Sequence, residues 1–179
     1  PTRRAADILE RESGISDVLA IICGYDASRF INKTPTSNTD PRVLFVGRLD
    51  YEKRLDILLR AIQQISSEVD VQLDIVGNGG ERDNLKILSK ELQIEDRVNF
   101  LGFVTEEELP KTYERTTVFA MPSIAELQSI ATMEAMASGR PVIAADAMAL
   151  PHLVHSGDNG YLYQPEDVNE LAGRLREVL

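Results

Sequence analysis

The sequence predicts an α/β protein, a Rossmann-like three-layer sandwich built on a parallel sheet of about six strands. Short continuous apolar runs such as Val43-Leu44-Phe45-Val46, and the run Val71 to Val76, each stop at a glycine, as strands buried on both faces do. Between these runs, leucine and isoleucine recur at helical spacing. Strands alternating with helices of about 10–15 residues imply right-handed βαβ units and a sheet covered on both faces. At 179 residues the chain is large enough to bury a single ordinary core.

Residues 1–34 read as a lead-in, with a polar helix from Arg3 to Ser13 and a strand over Val18-Leu19-Ala20-Ile21-Ile22-Cys23-Gly24. The cluster Thr34-Pro35-Thr36-Ser37-Asn38-Thr39-Asp40-Pro41 is almost purely turn formers and marks a surface connection into the main domain, 35–179. Strand one is Val43 to Val46, and Leu55, Leu58, Leu59, Ile62 and Ile65 mark the helix after it. Strand two ends at Gly77, and Leu85, Leu88 and Leu92 mark a second helix. Val98 to Leu101 is strand three. Thr105 and Glu108 have capping-box spacing and open a third helix, with Pro110 in its first turn. Thr117 to Ala120 is strand four, followed by the helix of Glu134. Pro141 to Ala144 and Gly160 to Tyr163 complete the sheet, and Asp167 caps a last helix.

Composition narrows the function. A net charge of −10 and a pI near 4.7 argue against nucleic acid, which is bound through surplus lysine and arginine. The one cysteine, Cys23, excludes an intrachain disulfide, suits a reducing cytosol and reads as a small buried hydrophobe. No apolar run approaches the roughly 18 residues of a membrane span. The chain begins at Pro1 and ends inside a predicted helix at Leu179, so it is expected to be a piece of something longer.

Four stretches carry candidate chemistry. The loop Gly47-Arg48-Leu49-Asp50-Tyr51-Glu52-Lys53-Arg54 leaves the first strand where a ligand crevice opens. Arg48 offers a planar fork for phosphate and Lys53 a mobile charge, although Lys53 and Arg54 also fit a solvated helix face. Gly77-Asn78-Gly79-Gly80 is a tight glycine turn but not the dinucleotide fingerprint. Leu101-Gly102-Phe103-Val104-Thr105 fits either a ligand-reading main chain or an ordinary strand end.

The fourth stretch contains Glu126 and Glu134, with seven residues between them. At about 100° per residue, positions eight apart lie about 80° around a helix. The two carboxylates serve one site only if Glu126 lies in the loop ahead of the helix and Glu134 two turns along it. Between them the helix N-terminus is suited to phosphate. Glu134 sits among Met133, Ala135, Met136 and Ala137, which favours a buried, partnered carboxylate over an exposed helix glutamate. His152 and His155 lack a third ligand, and no Gly-x-Ser-x-Gly elbow is present.

Glu126 and Glu134 resemble the Glu-x7-Glu signature of the retaining glycosyltransferase family 4. Gly47-Arg48-Leu49 with Lys53 resembles that family's Gly-Arg-Leu-x-x-x-Lys, and Gly77 to Gly80 its Gly-x-Gly-Pro turn with Gly80 for proline. Ile21 to Phe30 resembles its interdomain segment. The resemblance implies the C-terminal, nucleotide-sugar-binding half of a GT-B fold, with the acceptor domain elsewhere. It implies that Arg48 and Lys53 hold the donor diphosphate, that Glu126 orients the sugar, that Glu134 binds ribose and that Val104 meets the base through its main chain. Gly47, Gly77 and Asn78 would line the donor. Such enzymes use a nucleotide-diphosphate-sugar as substrate and generally no metal or other cofactor. They are cytoplasmic, and contact with the inner membrane face comes mainly from the acceptor domain.

The sequence departs from the family after Glu126, where Leu127-Gln128-Ser129-Ile130 replaces the common Gly-Phe-Gly. A positive φ there would strain Leu127, while Gln128 and Ser129 offer side chains to sugar or phosphate. That departure keeps a non-catalytic nucleotide-binding module in play beside a transferase, as the shared architecture does for a nucleotide-sugar epimerase or a phosphorylase.

Overall fold

A computed structural model describes residues 3–21, 23–31 and 40–179. Six strands form one parallel sheet in the order β3-β2-β1-β4-β5-β6: β1 (Arg42–Val46), β2 (Gln72–Val76), β3 (Val98–Gly102), β4 (Val118–Met121), β5 (Val142–Ala145) and β6 (Gly160–Tyr163). The six expected strands are all found, each within a residue or two of its predicted ends. Their direction follows from the connections, since every strand returns through a crossover and not a hairpin.

The helices are α1 (Arg3–Ser13) in the lead-in and, in the body of the fold, α2 (Leu55–Ile65), α3 (Arg82–Glu91), α4 (Leu109–Glu114), α5 (Ile130–Ala137) and α6 (Val168–Val178). The layer of α2, α3 and α6 is packed together through α2, whose buried face carries Leu55, Leu58, Leu59, Ile62 and Ile65. Its partner α6 starts at Asp167, whose carboxylate accepts from the Glu170 N–H at 2.9 Å and supplies the missing cap. Across the sheet, α4 and α5 meet an aromatic ladder in which Phe30, Tyr113 and Phe119 have ring centres 5.6 and 5.8 Å apart. Among the described residues no helix is long and apolar enough to cross a membrane.

Three expectations need correction. Residues 14–21 and 23–26 are irregular, so the strand expected over Val18–Gly24 does not form; Ile22 lies outside the described residues. Leu19 and Ile21 are 78% and 69% exposed, so the apolar run has no core to pack against. Cys23 is exposed for the same reason, not buried. The helix after β3 begins at Leu109, one turn later than expected. The capping box does form, with Glu108 N donating to Thr105 Oγ1 at 3.3 Å and Thr105 N to Glu108 Oε2 at 3.4 Å, but around a turn. Pro110 has no N–H for the carbonyl of Glu106, and that oxygen accepts instead from Arg29 Nη2 at 2.6 Å. The turn cluster 34–41 and the boundary at 34/35 lie largely outside the described residues.

The exits of β1 and β2 are in backbone contact. Gly77 has φ +126°, and a Cβ there would fall 1.9 Å from the carbonyl oxygen of Gly47. No side chain fits that gap. Gly77→Ala is expected to lower stability by about 3 kcal/mol through backbone strain and displacement of the β1 exit. Urea unfolding measures this, and a loss under about 1 kcal/mol would mean that the two exits are free to part.

Candidate active site

The strand order turns back on itself at β1, which has β2 on one side and β4 on the other. Connections leave such a point in opposite directions and open a crevice at the carboxyl edge. The loop after β1 and the loop after β4 meet there. The Glu52 carbonyl accepts from Ser123 Oγ at 3.2 Å and from Ile124 N at 3.0 Å. Lys53 Nζ donates to Glu126 Oε1 at 2.5 Å, and these two side chains are only 13% and 11% exposed.

This placement overturns the reading of Lys53 and Arg54 as a solvated helix face. Lys53 points into the crevice, and the guanidinium of Arg54 is buried against Asp56 and Glu166. Arg48 behaves differently. Its side chain is 72% exposed and ion-paired with Asp50 and, at 3.1 Å, with Glu52. It stands at the rim with its charge offset by neighbouring acids, while Lys53 lies below it.

Beside the ion pair, a cavity of about 420 Å³ opens over the exits of β1, β2 and β3. It gathers Gly47, Arg48, Gly77, Asn78 and Val104, five of the residues picked out by sequence. The lining is mostly apolar, and Phe103 projects at its mouth with 88% of its surface exposed. Main-chain bonds hold the edge together: Gly47 N to Val76 O at 3.0 Å, Leu49 N to Asn78 O at 3.0 Å and Gly77 N to Gly102 O at 2.7 Å. Sequence reasoning passed over Phe103. An aromatic between a glycine and a capping box, with no strand left to bury it, was the available signal.

Glu126 lies in the loop ahead of α5, as the spacing required, and Glu134 is that helix's fifth residue, little more than one turn along it and not two. The left-handed position in the loop is Ser129, with φ 58° and ψ 72°, and not Leu127. Ser129 tolerates it because its buried hydroxyl pairs with Thr132 Oγ1 at 2.8 Å. Leu127 and Ile130 remain exposed at the crevice. Gln128 is turned towards the lead-in: its Nε2 donates to the Cys23 carbonyl at 2.5 Å and its Oε1 accepts from Cys23 N at 2.9 Å.

Glu134 is half-buried on the flank of α5. Its Oε2 accepts from the hydroxyl of Tyr113 at 2.9 Å, and the same hydroxyl lies 3.1 Å from the Ala131 carbonyl. Burial raises the Glu134 carboxyl above the ordinary carboxylate range, against the opposing pull of the Tyr113 hydrogen bond and the Arg29 charge. Burial also pushes the Tyr113 phenol well up, reinforced by Glu134. No local pattern marks this partnership, which spans 21 residues. Among the described residues no group of three His, Cys, Asp or Glu side chains is placed to hold a metal. A second cavity, about 460 Å³ between Met136, Arg140 and Tyr161, sits at the amino edge of β5 and β6, remote from the crevice.

Known proteins resemble this chain in sequence and fold. Residues 26–179 match the family model described as glycosyl transferases group 1. The chain is 36% identical over 137 residues to an uncharacterized glycosyltransferase of Methanocaldococcus jannaschii, covering 76% of this chain and 35% of that protein. It is 36% identical over 156 residues to a D-inositol 3-phosphate glycosyltransferase of Mycolicibacterium smegmatis, covering 86% and 36%. Among solved structures, sucrose-phosphate synthase from Thermosynechococcus elongatus superposes with a TM-score of 0.87 at 30% identity, over 98% of this chain and 47% of that one. Anabaena HepE in complex with UDP gives 0.77 at 30% identity, over 86% and 45%. The chain therefore spans between a third and a half of the length of these relatives. On the family match and these identities, the chain belongs to the group 1 glycosyl transferases.

Proposed function

We propose that this chain is the donor-binding half of a retaining glycosyltransferase of family 4, taking a nucleotide-diphosphate-sugar without a metal. The observation that carries this reading is the buried Lys53–Glu126 pair at the strand-order reversal, with a mostly apolar cavity of about 420 Å³ at the same carboxyl edge. The base enters the cavity against Val104 and Phe103, and the diphosphate lies between Lys53, Arg48 and the first turn of α5. As the bond from the anomeric carbon to the diphosphate breaks, negative charge grows on the leaving phosphate. Lys53 and Arg48 are placed to stabilise it. The acceptor hydroxyl oxygen bonds to the same face of that carbon and its proton passes to the leaving phosphate oxygen, while Glu126 orients the sugar. The acceptor-binding groups belong to a separate domain of the parent protein, and the parent acts in the cytoplasm. The UDP held by HepE supports a nucleoside diphosphate as leaving group.

Calorimetric titration of the chain with UDP, GDP and ADP, without metal, tests the reading. One nucleotide is expected to bind, and Glu134→Ala is expected to weaken it about tenfold through loss of ribose contacts. No binding by any of the three, in the chain or in a longer parent, would overturn the donor assignment.

Glu134 offers an independent check. Its carboxyl is raised in the folded state above its ordinary 4.5, so folding favours the protonated form. That contribution is fully present below the unfolded value and lost as pH rises through the raised folded value. At neutral pH the ionised carboxylate therefore costs stability, which is consistent with its being kept for a ligand. Glu134→Gln keeps an acceptor for Tyr113 and is expected to raise Tm by about 2 °C at pH 7 and not at pH 4. The same variant is expected to bind the nucleotide more weakly. Thermal unfolding at the two pH values reads the first effect; a Tm that falls at pH 7 would reverse the assigned cost.

A further inference from the structure

Lys53 is followed at once by a residue in a conformation that L amino acids avoid. Arg54 has φ 48° and ψ 40°, left-handed, at the junction of the single 3-10 turn Tyr51–Lys53 and α2. A side chain crowds its own backbone in that region and persists there only when its surroundings over-determine it. Here they do. Arg54 N donates to the Tyr51 carbonyl at 3.1 Å, and the Arg54 carbonyl accepts from Ile57 N at 3.1 Å. Its buried guanidinium reaches both oxygens of Asp56, Nε at 3.1 Å and Nη2 at 3.3 Å, and Nη1 pairs with Glu166. The Tyr51 ring lies beneath it, 5.4 Å from the guanidinium carbon to the ring centre.

Glu166 is itself left-handed, with φ 69°, in the loop between β6 and α6. Two strained residues 112 positions apart are thus joined by an ion pair, which fastens the β1–α2 loop to the β6–α6 loop. The direction of the chain at Arg54 decides where Lys53 goes. With Arg54 left-handed, the chain breaks between the 3-10 turn and α2, and the Lys53 ammonium faces Glu126. With Arg54 right-handed, the turn would run on into α2 and carry Lys53 around with it.

We infer that Arg54 is a positioning residue: its buried clamp on Asp56 and Glu166 fixes the turn that presents Lys53 at Glu126, and so at the donor diphosphate. The diphosphate part rests on the donor-binding reading above. Arg54 touches neither donor nor reacting atoms and acts through Lys53.

Two measurements on the whole chain test this. The first is the rate at which acetic anhydride acylates each lysine, followed by peptide mass spectrometry, with no ligand present. Arg54→Ala is expected to raise the Lys53 rate roughly fivefold while Lys86 and Lys90 stay unchanged, because the ammonium leaves its buried pair. Arg54→Gly, which accepts left-handed angles without strain, is expected to fall between the two. Glu166→Gln removes one arm from the exposed side and is expected to move the rate in the same direction, even if Arg54→Ala fails to fold. The second measurement compares UDP, GDP and ADP with their nucleosides by calorimetry. Arg54→Ala is expected to weaken the diphosphate about tenfold and leave the nucleoside unchanged. An unchanged Lys53 rate, or equal losses for diphosphate and nucleoside, would overturn the positioning role. A native chain that binds none of the three nucleotides would overturn the donor reading and the phosphate part, leaving the acylation result to decide the turn.

Discussion

The ion pair between Lys53 and Glu126 joins two loops that the chain order would otherwise send apart. The β1 loop runs towards α2 and the β4 loop towards α5, and their meeting at the crevice defines the site. As a source of stability such a pair is weak, since removing two charges from water costs several kcal/mol per ion and the mutual attraction does little more than offset that. Its use lies elsewhere. Lysine and glutamate hold each other in a preset position and neutralise each other until a ligand arrives. On the proposed donor-binding reading, an incoming diphosphate would find the ammonium already desolvated and aimed, leaving little reorganisation for the binding step.

The backbone around the pair is as constrained as the side chains. Gly77 approaches Gly47 so closely that no Cβ fits, and main-chain bonds tie the exits of β1, β2 and β3 into one rim. A rim made of backbone sets its shape independently of side-chain rotamers. The exposed groups, Arg48 and Phe103, are left at its margin. Backbone floor and exposed margin arise from the same fact. Parallel strands must end together at one edge, and the residues just beyond that edge are the first released from the core.

Much of this was legible in the sequence because it is local. Short apolar runs alternating with helical periodicity marked six strands, the first two stopped by glycine, and a capping carboxylate marked the start of α6. The spacing of Glu126 and Glu134 required one in a loop and one on a helix, which is where they lie. The failures lie in contacts that composition and periodicity do not encode. Val18 to Gly24 has the composition of a strand but no neighbouring edge to pair with. The left-handed position after Glu126 depended on a hydroxyl partner for Ser129, and the late start of α4 on an arginine 77 residues away. Arg54 was the hardest to foresee, since nothing local marks an arginine as left-handed. Its guanidinium is held both by Asp56, two residues on, and by Glu166 on the loop before α6.

The lead-in is built into the site at four points. Gln128, two residues after Glu126, grips the Cys23 main chain from both ends of its amide. Tyr25 donates to the Met133 carbonyl at 3.0 Å, next to Glu134. Arg29 holds the Glu106 carbonyl at the border of the apolar cavity, and Phe30 is buried edge-on against Tyr113, the partner of Glu134. Each of these contacts ends one or two residues from a group assigned to the ligand or directly on its partner. None of them touches the Lys53 side, which is secured from the opposite direction by Arg54 and Glu166. The two carboxylates of the Glu-x7-Glu segment are therefore braced through the lead-in, and Lys53 through the β1–α2 and β6–α6 loops. A displacement of the lead-in would move Glu126 and Glu134 relative to Lys53, altering the distance across the ion pair on which the crevice is centred.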